Sequence, residues 1–173
     1  MSSKAARLKI LLVEDDLDDV YLVRSYLSET RGNRFFSADL SVAQDLTHTA
    51  RLLAEGLPDI ILTDLGLPDA GIATFTDVVE RVRRIAGGTK TPLICDADTG
   101  FGGLLNVKYT VEGYEEAGCS AIQIEDQEIP KKCGHTPGRR VVPVEDMVDK
   151  IRVAVDSRKD PNFLIIARTD SRT

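Results

Sequence analysis

Short apolar runs alternate with stretches of helical period along the chain, and this alternation most limits the folds open to it. The segment 8–13 reads as a buried strand. After it come Leu17, Val20, Tyr21, Val23, Arg24 and Leu27 at helical spacing, up to Gly32. A weaker strand over 35–40, a helix over 43–54 closed by Gly56, a strand over 59–63 and a helix over 74–85 closed by Gly87 and Gly88 continue the pattern. Strands over 93–96, 121–125 and 163–168 then alternate with helices over 106–117 and 144–157. Apolar strands joined by helices predict a parallel sheet covered on both faces. No linker rich in Pro, Gly or Ser interrupts the series, so residues 1–173 are expected to form one α/β domain.

Length and charge narrow the field further. With 173 residues the chain is short of the roughly 250 that an eight-stranded (β/α) barrel uses. A net charge of -6 argues against nucleic-acid binding, which relies on Lys and Arg at phosphates. No apolar run approaches the roughly 20 residues of a membrane helix, and the first residues lack a signal-peptide core, so a cytoplasmic protein with no membrane partner is expected. Cys95, Cys119 and Cys133 are odd in number and lack paired metal spacing; Cys95 and Cys119 are expected to be packing residues. Charge is uneven: residues 1–70 carry 7 basic and 12 acidic side chains, and 71–173 carry 15 and 16.

Nearly every predicted strand ends in carboxylates. Glu14, Asp15 and Asp16 follow the first, Asp64 the third, Asp96 and Asp98 the fourth, Glu125 and Asp126 the fifth, and Asp170 the sixth. Parallel α/β sheets bind ligands at the carboxyl ends of their strands. Carboxylates converging there repel one another unless a hard cation such as Mg²⁺ (or Mn²⁺) neutralises them. Asp16, Asp18 and Asp19 have a simpler reading as helix N-terminal residues.

The motifs Lys-Ile-Leu-Leu-Val-Glu-Asp-Asp and Asp-Ile-Ile-Leu-Thr-Asp-Leu-Gly-Leu-Pro-Asp make residues 7–75 resemble response-regulator receiver (CheY-like) domains. The resemblance implies that Glu14 and Asp15 hold Mg²⁺ beside Asp64, which would be the phosphoacceptor, with a histidine kinase or small phosphodonor as partner. Such a carboxylate can attack a phosphoryl group whose charge the metal offsets. The receiver's switch Ser or Thr and its Lys-Pro have no counterpart in Leu-Ile-Cys-Asp-Ala-Asp and Ile-Gln-Ile-Glu-Asp-Gln.

From about Leu65 onward the chain resembles the isocitrate lyase and phosphoenolpyruvate mutase superfamily. The motifs are Gly-Leu-Pro-Asp-Ala-Gly, Asp-Ala-Asp-Thr-Gly-Phe-Gly-Gly, Ile-Glu-Asp-Gln, Pro-Lys-Lys-Cys-Gly-His and Ile-Ile-Ala-Arg-Thr-Asp. Val-Val-Pro-Val-Glu-Asp-Met is similar to methylisocitrate-lyase-like members. The resemblance implies that Asp96, Asp98 and Glu125 hold Mg²⁺ and its waters, and that Cys133 exchanges a proton with the carbanionic product. It further implies that Gly134 and His135 shape and polarise the loop, and that Arg168 binds a substrate carboxylate. Lys131, Lys132 and His135 would lower the pKa of the Cys133 thiol.

Together the resemblances imply a chimera, with a receiver-like half over 1–68 and a lyase-like half over 69–173. A receiver start favours a flavodoxin-like doubly wound sheet of order 2-1-3-4-5; a partial TIM barrel, completed by a second copy, is the alternative. The expected function is that of a Mg²⁺-dependent carbon–carbon lyase-like piece acting on 2-hydroxy di- or tricarboxylic acids. It would lack the first barrel strands with their Ser-Gly loop, and the last barrel strands, and so be catalytically incomplete. A phosphoacceptor module and an inactive recombined or engineered chimera are the other readings.

Overall fold

The apolar runs form strands and the periodic stretches form helices in strict alternation. A computed structural model describes residues 6–29, 36–64, 74–129 and 138–171. The elements are β1 (Ala6–Val13), α1 (Leu17–Glu29), β2 (Phe36–Ala43), α2 (Leu46–Glu55), β3 (Ile60–Thr63) and α3 (Phe75–Gly87). They continue with β4 (Leu93–Asp96), α4 (Leu104–Glu116), β5 (Ala121–Glu125), α5 (Val144–Asp156) and β6 (Leu164–Arg168).

The strands form one parallel sheet in the order β2-β1-β3-β4-β5-β6. This is the doubly wound order expected. From β3 onward the strands follow chain order, which is also how a segment of a (β/α) barrel is wound. The chain moves from β1 to one side and returns past it to β3, so the switch point lies between β1 and β3, where open α/β sheets bind ligands.

Local sequence explains the helix starts. Asp45 accepts a hydrogen bond from the His48 amide and starts α2, and Thr74 and Asp77 cap α3 reciprocally. Val78, Val79, Val82 and Ile85 then form the stripe that α3 buries, and Val107, Val111 and Tyr114 do the same for α4. β2 differs from expectation. It runs through Ala43, where a helix was predicted to begin, because all eight of its residues pair with β1, from Ala6↔Phe36 to Val13↔Ala43.

The main core lies on one face of the sheet. Leu11, Val13, Ile61, Leu93, Cys95, Ile122 and Ile124 pack there against α3, α4 and the Ala154 side of α5. Helices α2 to α5 pack in series. Right-handed crossovers put α1 on the opposite face, where Ile10, Leu12 and Val20 are buried outside that cluster. Coverage of both faces is therefore only partly realised among the described residues, since Ile60, Leu62 and Ile94 are half-buried on the α1 side. Cys95 and Cys119 are packing residues as expected, with Sγ atoms 3.0 Å apart in the interior.

Candidate active site at the carboxyl ends of the strands

Side chains alternate faces along a strand, and the register aligns Val13, Thr63, Cys95 and Ile122 across β1, β3, β4 and β5. The residues following the first three, Glu14, Asp64 and Asp96, therefore share one level and the less-covered face. Further along that face come Glu125 and its partner Arg168. The alternation collects side chains from five strands on one rim.

Two groups sit on it. The first is Glu14, Asp19 and Asp64, each offering an oxygen within 4.8 Å of the others. Glu14 is 5% exposed and accepts a hydrogen bond from the Asp16 amide at 2.8 Å. Burial pushes its carboxyl up to about 8; the Asp16 amide opposes this, and Asp64, Asp19 and Asp15 add to the rise. The expected pair was Glu14 and Asp15. Asp15 is instead exposed and outside this group. Asp16 accepts from the Asp18 amide at 2.8 Å and starts α1, and the first turn then returns Asp19 to the end of β1. Asp19 had only the reading of a helix-terminal residue; its spacing after Glu14, one turn into a helix, was the available signal.

The second group surrounds Arg168. Its Nε and Nη2 donate to the two oxygens of Asp170 at 3.0 and 3.2 Å, and its Nη1 lies 3.4 Å from Glu125 Oε2. Burial works against the Arg168 cation, but the Asp170 hydrogen bonds and the charges of Glu125, Asp170 and Asp96 outweigh it and raise its pKa. Glu125 is buried beneath it. Asp170 is fixed by Gln127 Nε2 at 2.7 Å and by its own amide, which donates to Asp126 at 2.9 Å. Thr169 Oγ1 also donates to Asp126, at 2.6 Å. Asp126 and Asp170 stand in the sequence as strand-end carboxylates with nothing that marks this part for them, and the one signal for Gln127 is its place at the end of Ile-Glu-Asp-Gln.

Between the groups lies the turn after β4. The Asp98 amide points at Asp96 Oδ1, 3.3 Å away, and Asp98 O accepts from the Glu125 amide at 2.8 Å. Asp96, Asp98 and Glu125 are not drawn within 4.8 Å of one another as the first group is. This all-oxygen set fits a hard cation that keeps several waters, and the first group suits closer coordination. Cys133, Gly134 and His135 lie outside the described residues.

The family profile of phosphoenolpyruvate phosphomutase matches residues 61–173. The 2,3-dimethylmalate lyase of Eubacterium barkeri is 54% identical over 109 residues, which is 63% of this chain and 38% of the lyase. The 2-methylisocitrate lyase of Vibrio cholerae serotype O1 is 43% identical over 130 residues, 75% of this chain and 42% of the relative. The structure of phosphonopyruvate hydrolase with oxalate and Mg²⁺ superposes with a TM-score of 0.65 at 27% identity. It covers 95% of this chain and 48% of the hydrolase. The chain thus spans about two fifths of the length of these lyases. The profile takes in β3 to β6 with the Asp96, Glu125 and Arg168 positions, and on that match the chain belongs to the phosphoenolpyruvate mutase family.

Proposed function

We propose that this rim is the metal- and carboxylate-binding part of a carbon–carbon lyase site for 2-hydroxy di- or tricarboxylic acids. The supporting observation is Arg168, whose guanidinium is oriented by Asp170 and held against buried Glu125 on the same face and at the same end of the sheet as Asp96. Cleavage of a 2-hydroxy acid leaves negative charge on the oxygens of the departing enolate, and fixed cationic groups aimed at that charge are worth most in a partly buried site. Arg168 supplies one such group and can bind a substrate carboxylate in its fork. Asp96, Asp98 and Glu125 are the residues that would hold Mg²⁺. When bound, Mg²⁺ adds positive charge where the substrate's oxygens become negative. Asp170 and Gln127 keep Arg168 from turning away.

Oxalate, a planar dicarboxylate, tests the reading as a mimic of the enolate-like product. Oxalate is expected to raise the melting temperature only when Mg²⁺ is present, and Arg168→Met is expected to abolish that rise. A response to oxalate that ignores Mg²⁺ or survives Arg168→Met would remove the reading.

The cluster of Glu14, Asp19 and Asp64 at the switch point favours a second reading of the receiver-like half, with Asp64 as phosphoacceptor. A labelled acyl phosphate is expected to modify the protein in Mg²⁺ and not the Asp64→Ala variant. Equal labelling of the two would exclude it. Failure of both tests would favour a recombined chain that folds without either activity.

A further inference from the structure

Helix α5 carries a charged residue where its apolar stripe requires an uncharged one. Met147, Val153 and Ala154 pack against the core, and Lys150 falls between them in the chain, only 9% exposed. Burying an ammonium is costly, and burial does lower the Lys150 pKa despite the neighbouring Asp146 charge. The side chain crosses from α5 to the turn after β4, where Nζ donates to the Thr99 carbonyl at 2.9 Å.

That turn holds unusual backbone. Asp98 and Phe101 have φ of 49° and 58°, a region that non-glycine residues keep only where the surroundings hold them in it. Gly100, between them, has φ of 83°. Three side chains from two helices hold its carbonyls: Tyr114 donates to Asp96 O at 3.1 Å, Thr110 to Gly100 O at 3.3 Å, and Lys150 to Thr99 O. Lys150 is the charged member of the three, and it grips the residue that follows Asp98.

We propose that Lys150 is a positioning residue whose ammonium, brought in from α5, fixes the Thr99 carbonyl and so holds the turn that presents Asp96 and Asp98 at the rim. The consequence for metal binding rests on the function proposed above; the consequence for the turn does not.

Two amides report on the turn directly, Gly100 N–H bonded to Ala97 O and Glu125 N–H bonded to Asp98 O. In Lys150→Met these amides are expected to exchange with deuterium at least tenfold faster than in the parent chain, while Leu11 and Ile61 in the central strands keep their rates. Lys150→Arg, which still offers a charged donor, is expected to restore most of the protection. Lys150→Gln, too short to reach the carbonyl, is run beside the Met variant and is expected to behave like it. Mn²⁺ alone, titrated by water-proton relaxation in an Asp64→Asn background, is expected to bind about tenfold more weakly to Lys150→Met and to recover in Lys150→Arg.

Unchanged exchange at Gly100 and Glu125 in both folded variants would overturn the proposal. So would a uniform rise across the sheet, or loss of the fold in both, either of which would make Lys150 a support of the whole structure. If the parent chain fails to bind Mn²⁺, the metal reading falls, and the exchange comparison still decides the role of Lys150.

Discussion

Glu14 makes the stability of this protein depend on pH in a range where carboxylates ordinarily do not titrate. Its carboxyl moves from 4.5 to about 8, mainly because it is buried at the end of β1 and also because Asp64, Asp19 and Asp15 surround it. The unfolded chain releases this proton near 4.5, whereas the folded chain keeps it until about 8. The folded state therefore binds an extra proton between those values. Its contribution to stability is full below pH 4.5 and is lost as pH rises through 8. At 1.36 kcal/mol per pH unit the whole interval corresponds to about 5 kcal/mol, and the exposed rim at Asp15 and Asp16 gives the ionised side chain a partial escape to water. The expected loss between pH 5 and pH 9 is thus about 2 to 4 kcal/mol. Urea unfolding in a chelating buffer at half-unit pH steps measures it. Glu14→Gln removes the charge without changing the shape; it should match the parent at pH 5 and exceed its stability by that amount at pH 9. Parallel curves for the two proteins across this range would refute the reasoning, because every other titrating group is common to both.

Divalent cations should reverse the repulsion on the rim. Mg²⁺ or Mn²⁺ at a hundredfold excess over its dissociation constant is expected to add about 2.7 kcal/mol. The melting temperature should therefore rise by about 5 to 10 °C for a chain of this size. Asp19→Asn should reduce that rise more than Asp15→Asn, and Asp96→Asn should also reduce it; no rise at all would make these carboxylates ordinary turn residues. In the turn after β4, Gly100→Ala places a Cβ 2.6 Å from Val107 Cγ2 at φ +83°, so a loss of about 2 to 4 kcal/mol is expected in urea unfolding. Gly103→Ala meets nothing within 4 Å and, at the N-cap of α4, should cost no more than about 1 kcal/mol. Equal effects of the two glycine substitutions would show that the turn geometry is not under strain.

Much of this architecture is legible in the sequence alone, because period two and period 3.6 are local properties of the chain. β1, β3, β4 and β5 fall where apolar runs fall, and α3 begins where Thr74 and Asp77 can cap it. Strand-end carboxylates were legible too, since Glu14, Asp64, Asp96 and Glu125 each follow or end an apolar run. The upper end of β2 was not. Ser41, Val42 and Ala43 carry too little apolar signal to announce a strand, and they form one because β1 offers them a partner edge. The same holds for the site. Sequence supplies the residue types and the side of each strand on which they stand, but distance along the chain says nothing about approach across it. Asp19 replaces Asp15 beside Glu14 because the first turn of α1 returns it to the strand end. Asp170 and Gln127 orient Arg168 from 43 residues apart, and Lys150 reaches a carbonyl 51 residues away. Local periodicity is written in the chain itself; strand order, register and the crossing of one helix over a distant turn arise only when the elements pack, and those decide which carboxylates meet.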